Sequence, residues 1–279
     1  MEGNKITIII PCYCSEHYLK KTVSEILAVF SDLPGIDAGG ASLACCPPSS
    51  IHGESYRPTI VLINDASPDR TDKVIRELVD AYPQTIIGIE LKRNVGQARA
   101  KMAGLPYAQG TYTVFMDDDG QHDPRTIPEL IQKVDCGFDL VYTRFPKLEE
   151  SVPRKIASGI LDSLLWLFCA KPRGLRITSY FALSPAAVER LLTYKSPHPF
   201  IGGYLMSKHA AVDTVFSNHR VRHMGKSGYS LRKLCKRAAE LCLLWRLPVT
   251  NKEAMYEIEA VYGTEYIADA QVLTICSSS

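Results

Sequence analysis

The sequence has no run of about 18 apolar residues, the length a membrane-spanning helix requires. The nearest stretch, Ile156 to Ala170, is interrupted by Asp162 and bounded by Lys155 and Lys171. It also has no Asn-x-Ser/Thr sequon, no CxxC pair and no internal repeat. The N-terminus passes through Asn4 and Lys5 straight into an apolar segment, so no signal peptide is expected. Nine cysteines, an odd number without metal-binding spacing, are expected to be reduced thiols of a cytoplasmic protein. A net charge of +2 gives no reason to expect nucleic acid as a partner.

What is present is an ordinary globular composition, with 46% hydrophobic and 22% charged residues in 279. That length suits one large α/β domain or two small ones. Short β-branched runs alternate with helical spacing along the first half. Strands are expected at Ile6–Ile10, Thr59–Ile63, Thr85–Leu91, Thr111–Phe115 and Asp139–Thr143. Helices are expected at Tyr18–Phe30, Thr71–Tyr82, Gly96–Tyr107 and from Pro124, a residue suited to a first helical turn. Residues 31–58, rich in Gly, Pro and Ser, read as an inserted loop. The alternation implies a doubly wound, mostly parallel sheet with helices on both faces, whose ligands bind beyond the carboxyl ends of the strands.

Three polar clusters fall at such ends: Pro11 to Glu16, Asn64 to Asp69, and Asp117 to Gln121. A departing diphosphate needs its charge neutralised, and a hard divalent ion does this with one or two carboxylates plus water. Asp117, Asp118 and Asp119 follow a buried strand, and alternation turns Asp118 away from the other two. Gln121 adds a neutral oxygen. The competing readings are a solvated acidic loop or a helix cap.

The order Pro11-x-Tyr13, Asn64-Asp65-x-Ser67-Pro68-Asp69, Asn94-Val95-Gly96 and Met116-Asp117-Asp118-Asp119-x-Gln121-His122-x-Pro124 resembles the inverting family 2 glycosyltransferases of GT-A fold. Within them it is similar to the dolichol-phosphate and undecaprenyl-phosphate sugar transferase branch. The resemblance covers about residues 4 to 248, and is sharper before Cys136 than after it.

The resemblance implies a GT-A domain over 1–248, with an acceptor-side half at 137–248 and a polar tail at 249–279. It implies that Pro11, Tyr13 and Glu16 line the nucleotide pocket and that Asp65 recognises the base. Asp117 and Asp118 would belong to the donor site, while Asp119 and Gln121 would hold Mg2+ or Mn2+. Tyr13 could instead be a core residue, and Asp65 with Ser67 could cap the next helix. Arg144, Arg154 and Ser158 would receive the acceptor phosphate, a role that suits the bidentate geometry of Arg. Their alternative is an ordinary solvated surface.

The late motif Arg222-x-x-Gly225-x-Ser227-x-Tyr229 resembles one that closes over the diphosphate. Gly228 stands where the family usually has Lys, with Lys226 as the nearby cation. Cys14 stands where Asn is common, and the polar tail stands where many members carry membrane spans.

The implied reaction is in-line transfer with inversion from a nucleotide sugar, UDP favoured over GDP, to a polyprenyl phosphate. Such an acceptor is already ionised at neutral pH, its second pKa being about 6, so it needs cations more than a base. Two amphipathic helices, Ile156–Cys169 and Leu231–Trp245, suit either the membrane surface or coverage of the sheet. The expected location is cytoplasmic, peripheral at the inner face of the membrane. Two other functions stay open: transfer to a glycan or small-molecule hydroxyl, and nucleotide-sugar binding without catalysis.

Overall fold

The computed structural model describes residues 5–31, 57–108, 110–145, 166, 169–217 and 255–263. The inserted loop, almost all of the expected helix at 156–169, the helix at 231–245, and Arg154, Ser158, Arg222 and Lys226 lie outside them.

The strands are β1 (Lys5–Cys12), β2 (Arg57–Asn64), β3 (Ile86–Leu91), β4 (Tyr112–Phe115), β5 (Leu140–Arg144), β6 (Phe181–Leu183), β7 (Val212–Phe216) and β8 (Ile258–Tyr262). The helices are α1 (Leu19–Ser31), α2 (Thr71–Ala81), α3 (Gln97–Gly104), α4 (Ile127–Asp135), α5 (Pro185–Leu192) and α6 (Ile201–Ser207). Short 3-10 turns follow α3 and precede α4, the latter at Pro124–Thr126. All five expected strands and four expected helices form, with ends shifted by a few residues.

The eight strands make one sheet in the order β7-β5-β6-β4-β1-β2-β3-β8. β1 is parallel to both β2 and β4, and β2 to β3. The chain therefore winds outward from β1 in both directions, which makes the carboxyl ends of β1 and β4 a topological switch point, the place where such sheets bind ligands. β6 runs antiparallel between β4 and β5, and β5 is parallel to β7.

β8 pairs antiparallel with β3, with a register shift at Glu90/Leu91. The stretch expected to be a polar tail thus contributes an edge strand. Arg76 lies over the Tyr262 ring at 4.4 Å, which ties β8 to α2.

Alternation along the strands sorts the core into two layers. Ile9, Val61, Ile63, Ile87 and Ile89 share one with buried residues of α3, α5 and α6. Ile6, Ile8, Ile10, Ile60, Leu62 and Ile86 share the other with α1, α2 and α4. Every one of these strand residues is essentially inaccessible to solvent.

The α3 helix reaches the sheet closely because its last residue is glycine. A Cβ on Gly104 would lie 2.8 Å from Ile9 Cγ2 and 2.9 Å from Ile63 Cδ1.

Cys12 and Cys14 are free thiols, but Cys136 is disulfide-bonded. That corrects the expectation of uniformly reduced cysteines. Pairing depends on spatial approach, which spacing along the chain does not reveal.

Candidate functional site

The three polar clusters meet at the carboxyl edge of β1, β2 and β4. The loop after β1 is fastened first. The Ser15 N–H donates to Thr71 Oγ1 at 2.8 Å, and the Glu16 N–H to Asp69 Oδ2 at 3.3 Å. Glu16 Oε2 in turn accepts from the Arg70 N–H at 3.1 Å, and Oε1 faces His17 at 3.1 Å. Glu16 therefore braces the start of α2.

Tyr13 is 49% exposed, so its ring is a surface residue and not core. Pro11 is buried within β1 opposite Ile63. Cys14 has φ +56°, a left-handed conformation that Asn adopts more readily than most other residues.

The β2 end is organised by Asn64 and Asp65, both nearly inaccessible. Asn64 donates to Glu90 Oε1 at 2.6 Å and accepts the Ser67 N–H at 3.0 Å. Asp65 accepts the Val95 N–H at 2.7 Å and the Gly96 N–H at 2.8 Å, one on each oxygen. Its carboxylate thus orders the turn before α3. The alternative that Asp65 caps the following helix is corrected. The start of α2 is served by Asp69, whose Oδ1 accepts the Thr71 N–H and hydroxyl, rather than by Asp65. Burial raises the Asp65 carboxyl, and the two amide bonds and Arg99 only partly counter this.

The acidic run leaves β4 with its first two carboxylates on opposite sides. Asp117 turns towards α3. Its Oδ1 accepts from Gln97 Nε2 at 2.5 Å and lies 3.5 Å from Lys101 Nζ, while its Oδ2 accepts the Ser179 hydroxyl at 2.5 Å. The Asp117 N–H donates to His122 Nδ1 at 3.0 Å, and the His122 ring stacks between Phe145 and Tyr180. Burial would raise the Asp117 carboxyl, but Lys101, His122 and the Ser179 hydroxyl outweigh it and hold it below the usual range.

Asp118 turns towards β1, where its Oδ2 accepts from the Ser15 hydroxyl and from the Tyr13 N–H at 3.2 Å. Thr22 donates to the Asp118 carbonyl at 3.0 Å. Burial pushes the Asp118 carboxyl up to about 6 despite those two bonds.

Asp119 is half-buried, and its Oδ1 accepts the Gln121 N–H at 3.1 Å across a turn whose Gly120 has φ +70°. Among the described residues no group of three or more His, Cys, Asp or Glu side chains is arranged to hold a metal ion. A hard cation that keeps water and substrate oxygens needs only one or two protein ligands, and the donor set of Asp119 and Gln121 fits that requirement.

Arg144 ends β5 on the same edge of the sheet, exposed, with its guanidinium 5.3 Å from the Phe216 ring. Lys101, Gln97 and Ser179 were not anticipated from the sequence. Lys101 carried a signal: it sits among Ala100, Met102 and Ala103 on a helix that turns out to be buried there. Ser179 carried none, because only the return of the chain to β6 brings it under Asp117.

Comparison with known proteins places this architecture. Glucosyl-3-phosphoglycerate synthase from Mycobacterium tuberculosis, in complex with Mn2+, UDP-glucose and phosphoglyceric acid, superposes with a TM-score of 0.53 at 15% identity. The match covers 89% of this chain and 82% of that one. A mannosyltransferase from Pyrobaculum calidifontis, in complex with GDP-mannose and Mn2+, gives 0.52 at 16% identity over 82% and 59% of the chains. The fold is that of the GT-A glycosyltransferases.

The glycosyl transferase family 2 model matches residues 7–187, and the chain belongs to that family. Among its relatives is the undecaprenyl-phosphate 4-deoxy-4-formamido-L-arabinose transferase of Photorhabdus laumondii, 27% identical over 237 residues. The enzyme of the same name from Pectobacterium atrosepticum is 29% identical over 232 residues. Each match covers 82% of this chain and 64% of the relative, so the chain spans less than two thirds of their length. Among the described residues no helix is long and apolar enough to cross a membrane.

Proposed function

We propose that this chain transfers a sugar, with inversion, from a nucleotide-sugar donor to a polyprenyl phosphate at a membrane surface. The observation that supports this reading best is the meeting of the three polar clusters at the β1/β4 switch point. There Asp118 joins the Tyr13 loop to the acidic run, within a family 2 chain whose relatives bear undecaprenyl-phosphate transferase names.

In this reading the exposed Tyr13 ring and Pro11 flank the nucleotide base. Asp65 acts by ordering the turn at Val95 and Gly96 beside it, and Glu16 acts by bracing the loop. Asp117 and Asp118 set the backbone of the run from either side. Asp119 and Gln121 hold Mg2+ or Mn2+, which when bound neutralises the developing diphosphate charge. A phosphate oxygen of the acceptor attacks the anomeric carbon, the bond to the nucleotide diphosphate breaks, and no proton has to be removed from an ionised phosphate. Arg144 serves the acceptor phosphate from the end of β5. Arg154 and Ser158 are proposed for the same task and Arg222 with Lys226 for the diphosphate, from the family resemblance alone. UDP is the proposed nucleotide.

The test is a panel of UDP- and GDP-sugars with Mn2+ and a short polyprenyl phosphate, with sugar transfer measured in organic and aqueous phases. Sugar appearing in the organic phase is expected. Product confined to the aqueous phase would rule out a lipid-phosphate acceptor, and unchanged turnover in Asp119→Ala would rule out the metal assignment.

A further inference from the structure

Lys101 is a buried cation that the proposed reaction does not use. It lies on α3 between Ala100 and Met102, with only 5% of its surface exposed. Its ammonium group lies beside the end of β4. There Nζ donates to the Ser179 carbonyl at 2.9 Å and lies 3.5 Å from Asp117 Oδ1. The rings of Phe115 and Phe181 stand 6.0 and 5.5 Å from it, stacked on each other with centroids 4.9 Å apart. A cation is costly in such a place unless a partner charge and hydrogen bonds accompany it.

The arrangement aims inward. Gln97, Lys101 and Ser179 surround the Asp117 carboxylate, drawn from the first turn of α3, its middle, and the approach to β6. Asp118 is held on the opposite side by Ser15 and Tyr13. Two adjacent side chains fixed in opposite directions define the path of the backbone leaving β4. Asp119 follows immediately, in the turn through Gly120.

We propose that Lys101 is a positioning residue for the acidic run: by holding Asp117 against α3, it sets where Asp119 and Gln121 meet the donor diphosphate and its metal. The proposal rests on the nucleotide-sugar reading of the site. Displacement of a binding group by about 1 Å costs up to about 100-fold in function, so the geometry of the run is worth a buried cation.

The experiment is calorimetric titration of the full chain with UDP in the presence of Mn2+, for the wild type, Lys101→Met and Lys101→Arg, alongside circular dichroism and thermal unfolding. Lys101→Met is expected to remain folded and to bind Mn2+–UDP at least about 10-fold more weakly, and Lys101→Arg to recover part of that loss by restoring the charge. A folded Lys101→Met with affinity within about twofold of wild type overturns the proposal.

If the stranded carboxylate unfolds Lys101→Met, Lys101→Met/Asp117→Asn removes it. That double variant is expected to fold and still bind weakly, and wild-type affinity in it would reduce Lys101 to a structural counter-charge. A wild type that binds neither UDP nor GDP with Mn2+ removes the nucleotide-sugar reading itself, and this inference with it. That outcome is distinct from a wild type that binds and a variant that binds equally well.

Discussion

Asp65→Asn is the substitution that separates two roles for the β2 carboxylate. Each oxygen of Asp65 accepts a backbone N–H, from Val95 at 2.7 Å and from Gly96 at 2.8 Å. Asn offers one acceptor oxygen and places an NH2 group against the other N–H, donor facing donor. A hydrogen bond to a charged group contributes about 1.5–3 kcal/mol, and an orphaned buried donor costs about 1–3 kcal/mol. One effect opposes these. Burial raises the Asp65 carboxyl, so a neutral side chain recovers part of the desolvation cost. The mismatch should outweigh that recovery, because it strands one amide in a buried turn, for a net loss of about 1–3 kcal/mol.

Urea unfolding at pH 7.5 measures it. The midpoint should fall while the slope stays constant, since the surface exposed on unfolding does not change. Stability within about 0.5 kcal/mol of wild type, with nucleotide binding lost, would refute this reasoning and return Asp65 to direct contact with the base.

Asp118 predicts a pH dependence of opposite sign to that of an ordinary ion-paired carboxylate. Its folded carboxyl is raised to about 6, so the folded state holds the proton more tightly than the unfolded one. Stability therefore falls as pH rises from about 4 to about 6 and is flat above, by about 2–3 kcal/mol in total. Asp118→Asn should abolish that component in metal-free thermal unfolding, and the same slope in the variant would count against it. Gly104→Ala should cost about 1–3 kcal/mol, because a Cβ would press on Ile9 and Ile63 at the α3–sheet contact. A neutral result in chemical unfolding would mean that α3 can move outward freely.

Much of this architecture is legible in the order of the amino acids alone. Ile6–Ile10 and Thr59–Ile63 are β-branched runs that suit only a strand buried on both faces. The spacing of Val74, Ile75, Leu78 and Val79 marks the buried side of α2. Local rules of this kind also place the acidic run at a strand end, and the motif order carries the family.

The antiparallel pieces are not legible in that way. β6 has only three residues, too few to show a period. β8 is an edge strand, half-exposed along most of its length, so its residues need not form an apolar run.

The amino-acid sequence by itself determined the alternation of strands and helices, the three polar clusters and the family to which the chain belongs. Those properties follow from short-range periodicity and from motifs a few residues long. Only the tertiary structure decided which way each carboxylate faces. Asp65 turns to the α3 turn, Asp117 to Lys101 and Ser179, and Asp118 to Ser15 and Tyr13. Val95 is 30 residues from Asp65, Ser179 is 62 from Asp117, and Tyr13 is 105 from Asp118 along the chain. A carboxylate's direction is set by the donors that folding brings to it, and separations of that size leave no local trace.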